Sequence, residues 1–189
     1  MFYEGMNFVF FDFETTGINA NGLENDDVPI ELGMILTDEN LIFKDYFHAY
    51  IKWDWMSNLD CWPEKYYEAF KVHKIDIETI KKFGKLSEII IVEIKEFLNK
   101  NIKDSKKKPT LVSDNAYFDT LMMHRIFNDA DLAKEFYNTF HYTTWDINIL
   151  YKAAGVKKAS DHNHDALGDA ANMWHRTLRS LQKINYFRS

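Results

Sequence analysis

The stretch from Phe8 to Gly17 reads FVFFDFETTG. It opens like a strand buried on both faces, yet Asp12 and Glu14 sit inside the same apolar run. Burying an ionised carboxylate is costly unless something compensates it. Residues two apart on a strand share a face. Phe8, Phe10, Asp12 and Glu14 therefore fall on one side, with Val9, Phe11 and Phe13 on the other. The two carboxylates are about 7 Å apart along the backbone. Like charges so placed raise each other's pKa, and a divalent cation removes that penalty. Hard oxygen ligands suit Mg²⁺ or Mn²⁺. Thr15-Thr16-Gly17 then turns the chain and leaves backbone N–H groups near the carboxylates. The bland alternative is a strand end fraying into water.

Two later segments offer matching chemistry. In DNAYFD, Asp114 to Asp119, Asn115 can cap a helix and Asp119 follows four residues on, on the same face. Plain capping, with Asp119 a favourable first-turn charge, is the alternative. In DHNHDALGDAA, Asp161 to Ala171, Asp161 or Asn163 can cap a helix whose apolar stripe begins at Leu167. Asp169 flanks that stripe. About 140° of helical rotation separates His164 from Asp169. His164 must then lie on the loop side, leaning over a site that Asp169 lines from the helix. The alternative here is a helix start rich in caps and surface histidines.

The elements that would position these groups follow from periodicity. Strands are predicted at 7–13, 30–37, 41–51 and 110–113, with Asp38-Glu39-Asn40 as a hairpin turn. Helices are predicted at 63–72, 76–83, 86–99, 116–127, 131–139, 146–154 and 165–183. Strands first, then strands alternating with helices, predict an α/β mixed sheet with helices on both faces. All three segments fall where a strand end or helix start meets one sheet edge, where open α/β sheets place their sites. Met122 and Met123 read as core. Lys106-Lys107-Lys108 reads as a surface loop, as do Lys157 and Lys158, which could also touch phosphates.

At 189 residues the chain predicts one domain, 1–189. Its single cysteine, Cys61, excludes an internal disulfide and a cysteine-based zinc site. With no signal-peptide pattern and no long apolar run, a reducing, cytoplasmic setting and no membrane partner are expected. The net charge of −6 argues against a broadly basic nucleic-acid binder. It leaves room for a nucleic-acid enzyme whose acidic site is neutralised by metal.

FDFETTG, NAYFD and HDALGDA, in this order, resemble the three motifs of the DEDDh family of 3′–5′ exonucleases, the DnaQ-like superfamily. The resemblance covers nearly the whole chain and implies a ribonuclease H-like fold with a five-stranded mixed sheet. By position it implies Asp12, Glu14, Asp119 and Asp169 as ligands of two divalent ions, Mg²⁺ or Mn²⁺, about 4 Å apart. It implies His164 as general base. Thr15, Thr16, Gly17 and Asn115 would hold the terminal nucleotide. The sister branch, with tyrosine four residues before the last aspartate, is excluded by Asp165. AFKVHKID, Ala69 to Asp76, is similar to the family's Val-His-Gly-Ile stretch, with Lys74 replacing the glycine. Asp114 stands where histidine is frequent, and Gly168 where a larger residue is frequent.

The activity implied is metal-dependent removal of 5′-mononucleotides from a nucleic-acid 3′ end, with DNA placed ahead of RNA. Exoribonuclease trimming is the first alternative. A non-catalytic end-binding module is the second, opposed by five filled catalytic positions. A polymerase or another replication or repair protein is an expected type of partner.

Overall fold

FVFFDFET folds as the middle strand of a five-stranded sheet. The computed structural model describes residues 5–18, 27–57, 66–104, 107–157 and 164–186. Cys61, Lys106, Lys158, Asp161, His162, Asn163 and positions 63–65 of the first predicted helix lie outside the described residues.

The strands are β1 (Phe8–Thr15), β2 (Pro29–Thr37), β3 (Phe43–Tyr50), β4 (Thr110–Ser113) and β5 (Thr144–Asp146). The helices are α1 (Tyr66–His73), α2 (Ile77–Phe83), α3 (Ser87–Asn101), α4 (Ala116–Asp129), α5 (Ala133–Thr139), α6 (Asn148–Ala154) and α7 (Ala166–Tyr186). The sheet order is β3-β2-β1-β4-β5. β1 to β3 form an antiparallel meander, while β4 and β5 join parallel to β1. The predicted hairpin turn forms, with Asp38 Oδ1 accepting from the Asn40 and Ile42 amides at 2.9 Å each.

β1 reaches two residues further than predicted, so Asp12 and Glu14 are both strand residues. Its alternation separates two cores. Val9, Phe11 and Phe13 join a cluster with residues of α3 and α4 on one face. Phe8 and Phe10 join Tyr151 of α6 and Ala170 and Met173 of α7 on the other. Burying each phenylalanine contributes about 1.5–3 kcal/mol. Met122 and Met123 are core residues, as predicted. No helix among the described residues is long and apolar enough to cross a membrane.

One strand escaped the sequence reading. Residues 144–146 form β5, and the helix predicted from 146 starts at Asn148. Three residues carry too short a pattern to distinguish a strand from a helix start, so the fifth strand followed only from the family resemblance.

The parallel arrangement brings the carboxyl ends of β1, β4 and β5 to one edge. α4, α6 and α7 all begin there.

Candidate active site

At that edge three donor groups converge. One oxygen each of Glu14 and Asp169 and one ring nitrogen of His164 lie within 4.8 Å of one another. Such separations are spanned by one ion or one water. Glu14 comes from β1 and Asp169 from the first turn of α7. His164 precedes α7 in the left-handed conformation, φ 45°. This backbone turn resolves the rotation problem, because the ring reaches Asp169 from the loop side instead of along the helix. Asp12 lies one step earlier on the same face of β1 and is half-buried.

Asp119 is buried rather than outward-looking, and it accepts a hydrogen bond from Ser113 Oγ at the end of β4. Its charge is close enough to act on Glu14. Asn115 occupies the N-cap position of α4 but makes no side-chain capping bond, and it is exposed. Ser113 Oγ instead accepts from the Asn115 amide at 3.1 Å.

The electrostatics favour cations. Burial pushes the Glu14 carboxyl up to about 8, aided by the charges of Glu31, Asp169, Asp165 and Asp119. Every charge in that set is a carboxylate. The donors are therefore oxygen-rich with one imidazole, a set that fits hard divalent cations. Glu14 and Asp169, with His164, form the group within 4.8 Å that could hold such an ion; Asp12 and Asp119 lie outside that group among the described residues.

A stability prediction follows from Glu14. Its unfolded value is near 4.5 and its folded value is about 8. Between these values the folded chain binds more protons, so stability falls as pH rises through that window. Metal-free protein should lose on the order of 3 kcal/mol between pH 5 and 9. Glu14→Gln should flatten the profile. Urea melts in EDTA across that range test this, and an unchanged slope in the variant contradicts it.

Beside the carboxylates lies a pocket of about 450 Å³ lined by Thr15, Gly17, Ile18, Asp27, Val72 and His73, among others. Thr16 braces this turn from behind. Its amide donates to the Val28 carbonyl at 2.9 Å, and its hydroxyl accepts from the Val28 amide at 2.9 Å. The Thr16 N–H expected to face a nucleotide is therefore already engaged, while Thr15 and Gly17 line the pocket. A Cβ on Gly17 would come within 2.4 Å of the Asp27 carboxylate. His73, in the stretch likened to Val-His-Gly-Ile, is buried. Desolvation pushes its imidazole down to about 4, so it is neutral at pH 7. Its Nδ1 accepts from the Ile75 amide. Lys74 takes φ 61°, the conformation a glycine adopts without strain.

Asp114 proves to be a joint between elements. Its carboxylate meets Arg176 of α7 at 2.7 Å, and its carbonyl accepts from Asn148 Nδ2 of α6. Arg176 is 4% exposed and stacks over the Tyr151 ring. Lys157 is exposed.

Two site neighbours were not anticipated. Glu31 on β2 is 3% exposed, and its Oε1 lies 2.7 Å from His48 Nε2. The available signal was the one that exposed Asp12 and Glu14, a carboxylate inside an apolar run, here PIELGMIL.

A family model described as Exonuclease matches residues 9–175. No curated protein sequence matches the chain. Among solved structures, the chain is similar to the nuclease domain of 3′hExo, a DEDDh family member bound to rAMP. The identity is 14% and the TM-score 0.64, over 96% of this chain and 94% of that one. The zinc-bound complex of E. coli ExoI with ssDNA gives 16% identity and a TM-score of 0.69. That match covers 97% of this chain but 43% of the other, so the chain spans less than half of that protein. A 3′-exonuclease that recognises the histone mRNA stem-loop gives 18% and 0.64, over 96% and 65%. At these identities the structural likeness establishes a shared fold.

Proposed function

The chain belongs to the exonuclease family, a family of phosphodiester hydrolases, and from that premise we propose that it removes 5′-mononucleotides from nucleic-acid 3′ ends. The observation that carries the reading is the meeting of Glu14, His164 and Asp169 within 4.8 Å at the carboxyl edge of the sheet. Asp12, Glu14, Asp119 and Asp169 are proposed as holders of two divalent cations, Mg²⁺ or Mn²⁺. When bound, such ions neutralise charge at the scissile phosphate and acidify water.

The chain's own groups do the rest. The pocket at Thr15 and Gly17 receives the terminal nucleotide, and the exposed Asn115 side chain at the start of α4 is proposed to help hold it. His164 accepts the proton of the attacking water as the P–O3′ bond breaks. Neutral His73 presents an uncharged wall to the nucleotide. Thr16 holds the turn in shape.

Single-stranded 3′ ends are the proposed substrate, with DNA ahead of RNA. The similar structures include one with ssDNA and one that recognises an mRNA stem-loop, so both chemistries belong in the test. The same proposal takes residues 1–189 as one exonuclease domain acting in the cytoplasm. A polymerase or repair protein as delivery partner is part of it only if the isolated chain proves slow.

The deciding experiment is digestion of matched 5′-labelled DNA and RNA oligonucleotides with Mg²⁺ and with Mn²⁺. A ladder shortening from the 3′ end is expected. EDTA should abolish it, and a 3′-phosphate should block it. Cleavage that persists in excess chelator, or efficient cutting of a circular single strand, would contradict the reading.

A further inference from the structure

We propose that Glu31, anchored by His48, is a positioning residue that pins the start of α7 and so sets His164 and Asp169 against Glu14. This inference rests on the nuclease reading above.

Glu31 is the antiparallel partner of Glu14 in the β1–β2 pair. A second buried carboxylate beside Glu14 adds repulsion to a site already crowded with negative charge. An apolar residue there would avoid that cost, so the carboxylate calls for a compensating contact. The structure supplies two. Oε1 lies 2.7 Å from His48 Nε2, and Oε2 accepts from the Ala166 amide at 3.1 Å. The second contact satisfies one of the four amides that a helix start leaves unpaired. It also places negative charge at the positive end of the helix.

Ala166 is the first residue of α7, two after His164 and three before Asp169. One hydrogen bond therefore fixes the chain between the two functional side chains. Gly33, two residues along β2, lets this happen. A Cβ there would lie 2.2 Å from the Leu167 nitrogen and 2.3–2.4 Å from the Ala166 carbonyl group. The backbone of α7 thus rests directly on β2, with Glu31 as its stop. Glu31 is not one of the three groups gathered at Glu14. With His48 and Asp165 it forms a separate group within 4.8 Å. That geometry raises a rival role as metal ligand, which the test addresses.

The experiment measures steady-state cleavage of a 5′-labelled single strand at saturating Mn²⁺. It compares wild type, Glu31→Ala, Glu31→Gln and His48→Ala, with Asp12→Ala as the blank. Glu31→Ala should lower kcat about 10–100-fold, the usual worth of a supporting shell. KM for the oligonucleotide should stay within about threefold, because the nucleotide pocket is untouched. Glu31→Gln keeps an oxygen for the Ala166 amide and should recover most of the loss. His48→Ala should lower kcat about tenfold with KM unchanged.

Glu31→Ala at wild-type kcat, or Glu31→Gln as slow as Glu31→Ala, overturns the proposal. A loss erased by tenfold more Mn²⁺ makes Glu31 a ligand and overturns it too. Should Glu31→Ala fail to fold, His48→Ala decides, and its full activity overturns the role. Wild type as inactive as Asp12→Ala sinks the nuclease reading itself. An active wild type with a full-speed Glu31→Ala sinks only the positioning role.

Discussion

Asp169→Ala is expected to lower the single-turnover rate by about 10³-fold or more, because metal-held charge stabilisation contributes several kcal/mol to the barrier and each 1.36 kcal/mol is tenfold. Asp169 is half-buried on the first turn of α7 and shares the 4.8 Å cluster with Glu14 and His164. Its loss removes an oxygen donor without removing packing, because the apolar face of α7 is carried by residues such as Ala170 and Met173. The variant should therefore fold. Asp169 is also one of the charges that push the Glu14 carboxyl up. Removing it should let Glu14 ionise at lower pH, so metal-free protein should keep more of its stability above neutrality. The two readouts move in opposite directions, activity down and alkaline stability up. A general packing defect would lower both. A folded Asp169→Ala within tenfold of wild type would place Asp169 off the reaction path.

His164→Ala is expected to lose about 10²–10⁴ in rate, the usual contribution of a general base. The carboxylates remain, so the rise in melting temperature on adding Mn²⁺ should match that of wild type. This combination separates a proton acceptor from a metal ligand. His162 is the informative control. It stands seven residues before Asp169, out of step with the motif. His162→Ala should lose far less than His164→Ala. Single-turnover digestion by both variants, with melting curves with and without Mn²⁺, gives the answer. A dead His162→Ala beside an active His164→Ala would reassign the base and undo the motif alignment.

Much of this was legible because the chemistry interrupts a pattern. Asp12 and Glu14 stand out since a core strand has no ordinary use for acids, and strand alternation correctly divided β1 between two cores. The loop-side position of His164 was legible from helical rotation, whereas its role as a base came from the family resemblance. Glu31 obeys the same logic within PIELGMIL, yet the run was read only as a strand. Its partner, the Ala166 amide, lies 135 residues away, and no local pattern records a contact of that range. The burial of Asp119 and the engagement of the Thr16 amide are likewise tertiary facts, set by Ser113 and Val28. Sequence spacing fixed which face these residues share, but not what covers it. β5 was missed because a three-residue edge strand is defined by its neighbour β4 more than by its own residues.

The left-handed backbone at His164 has an evolutionary reading. A side chain with a Cβ held there carries a conformational cost, on the order of 1 kcal/mol, that glycine does not. Glycine would thus be the more comfortable occupant, and asparagine also tolerates the conformation. In a chain without need of a base at this point, random substitution would drift toward those residues and the fold would gain from it. Under the proposed mechanism, proton transfer is what would hold an imidazole there against that drift. Position 164 is therefore a place where loss of catalysis would leave a mark in the sequence of a descendant. A lineage that had turned this fold into a passive end-binder would be free to place glycine or asparagine there at no cost to the backbone.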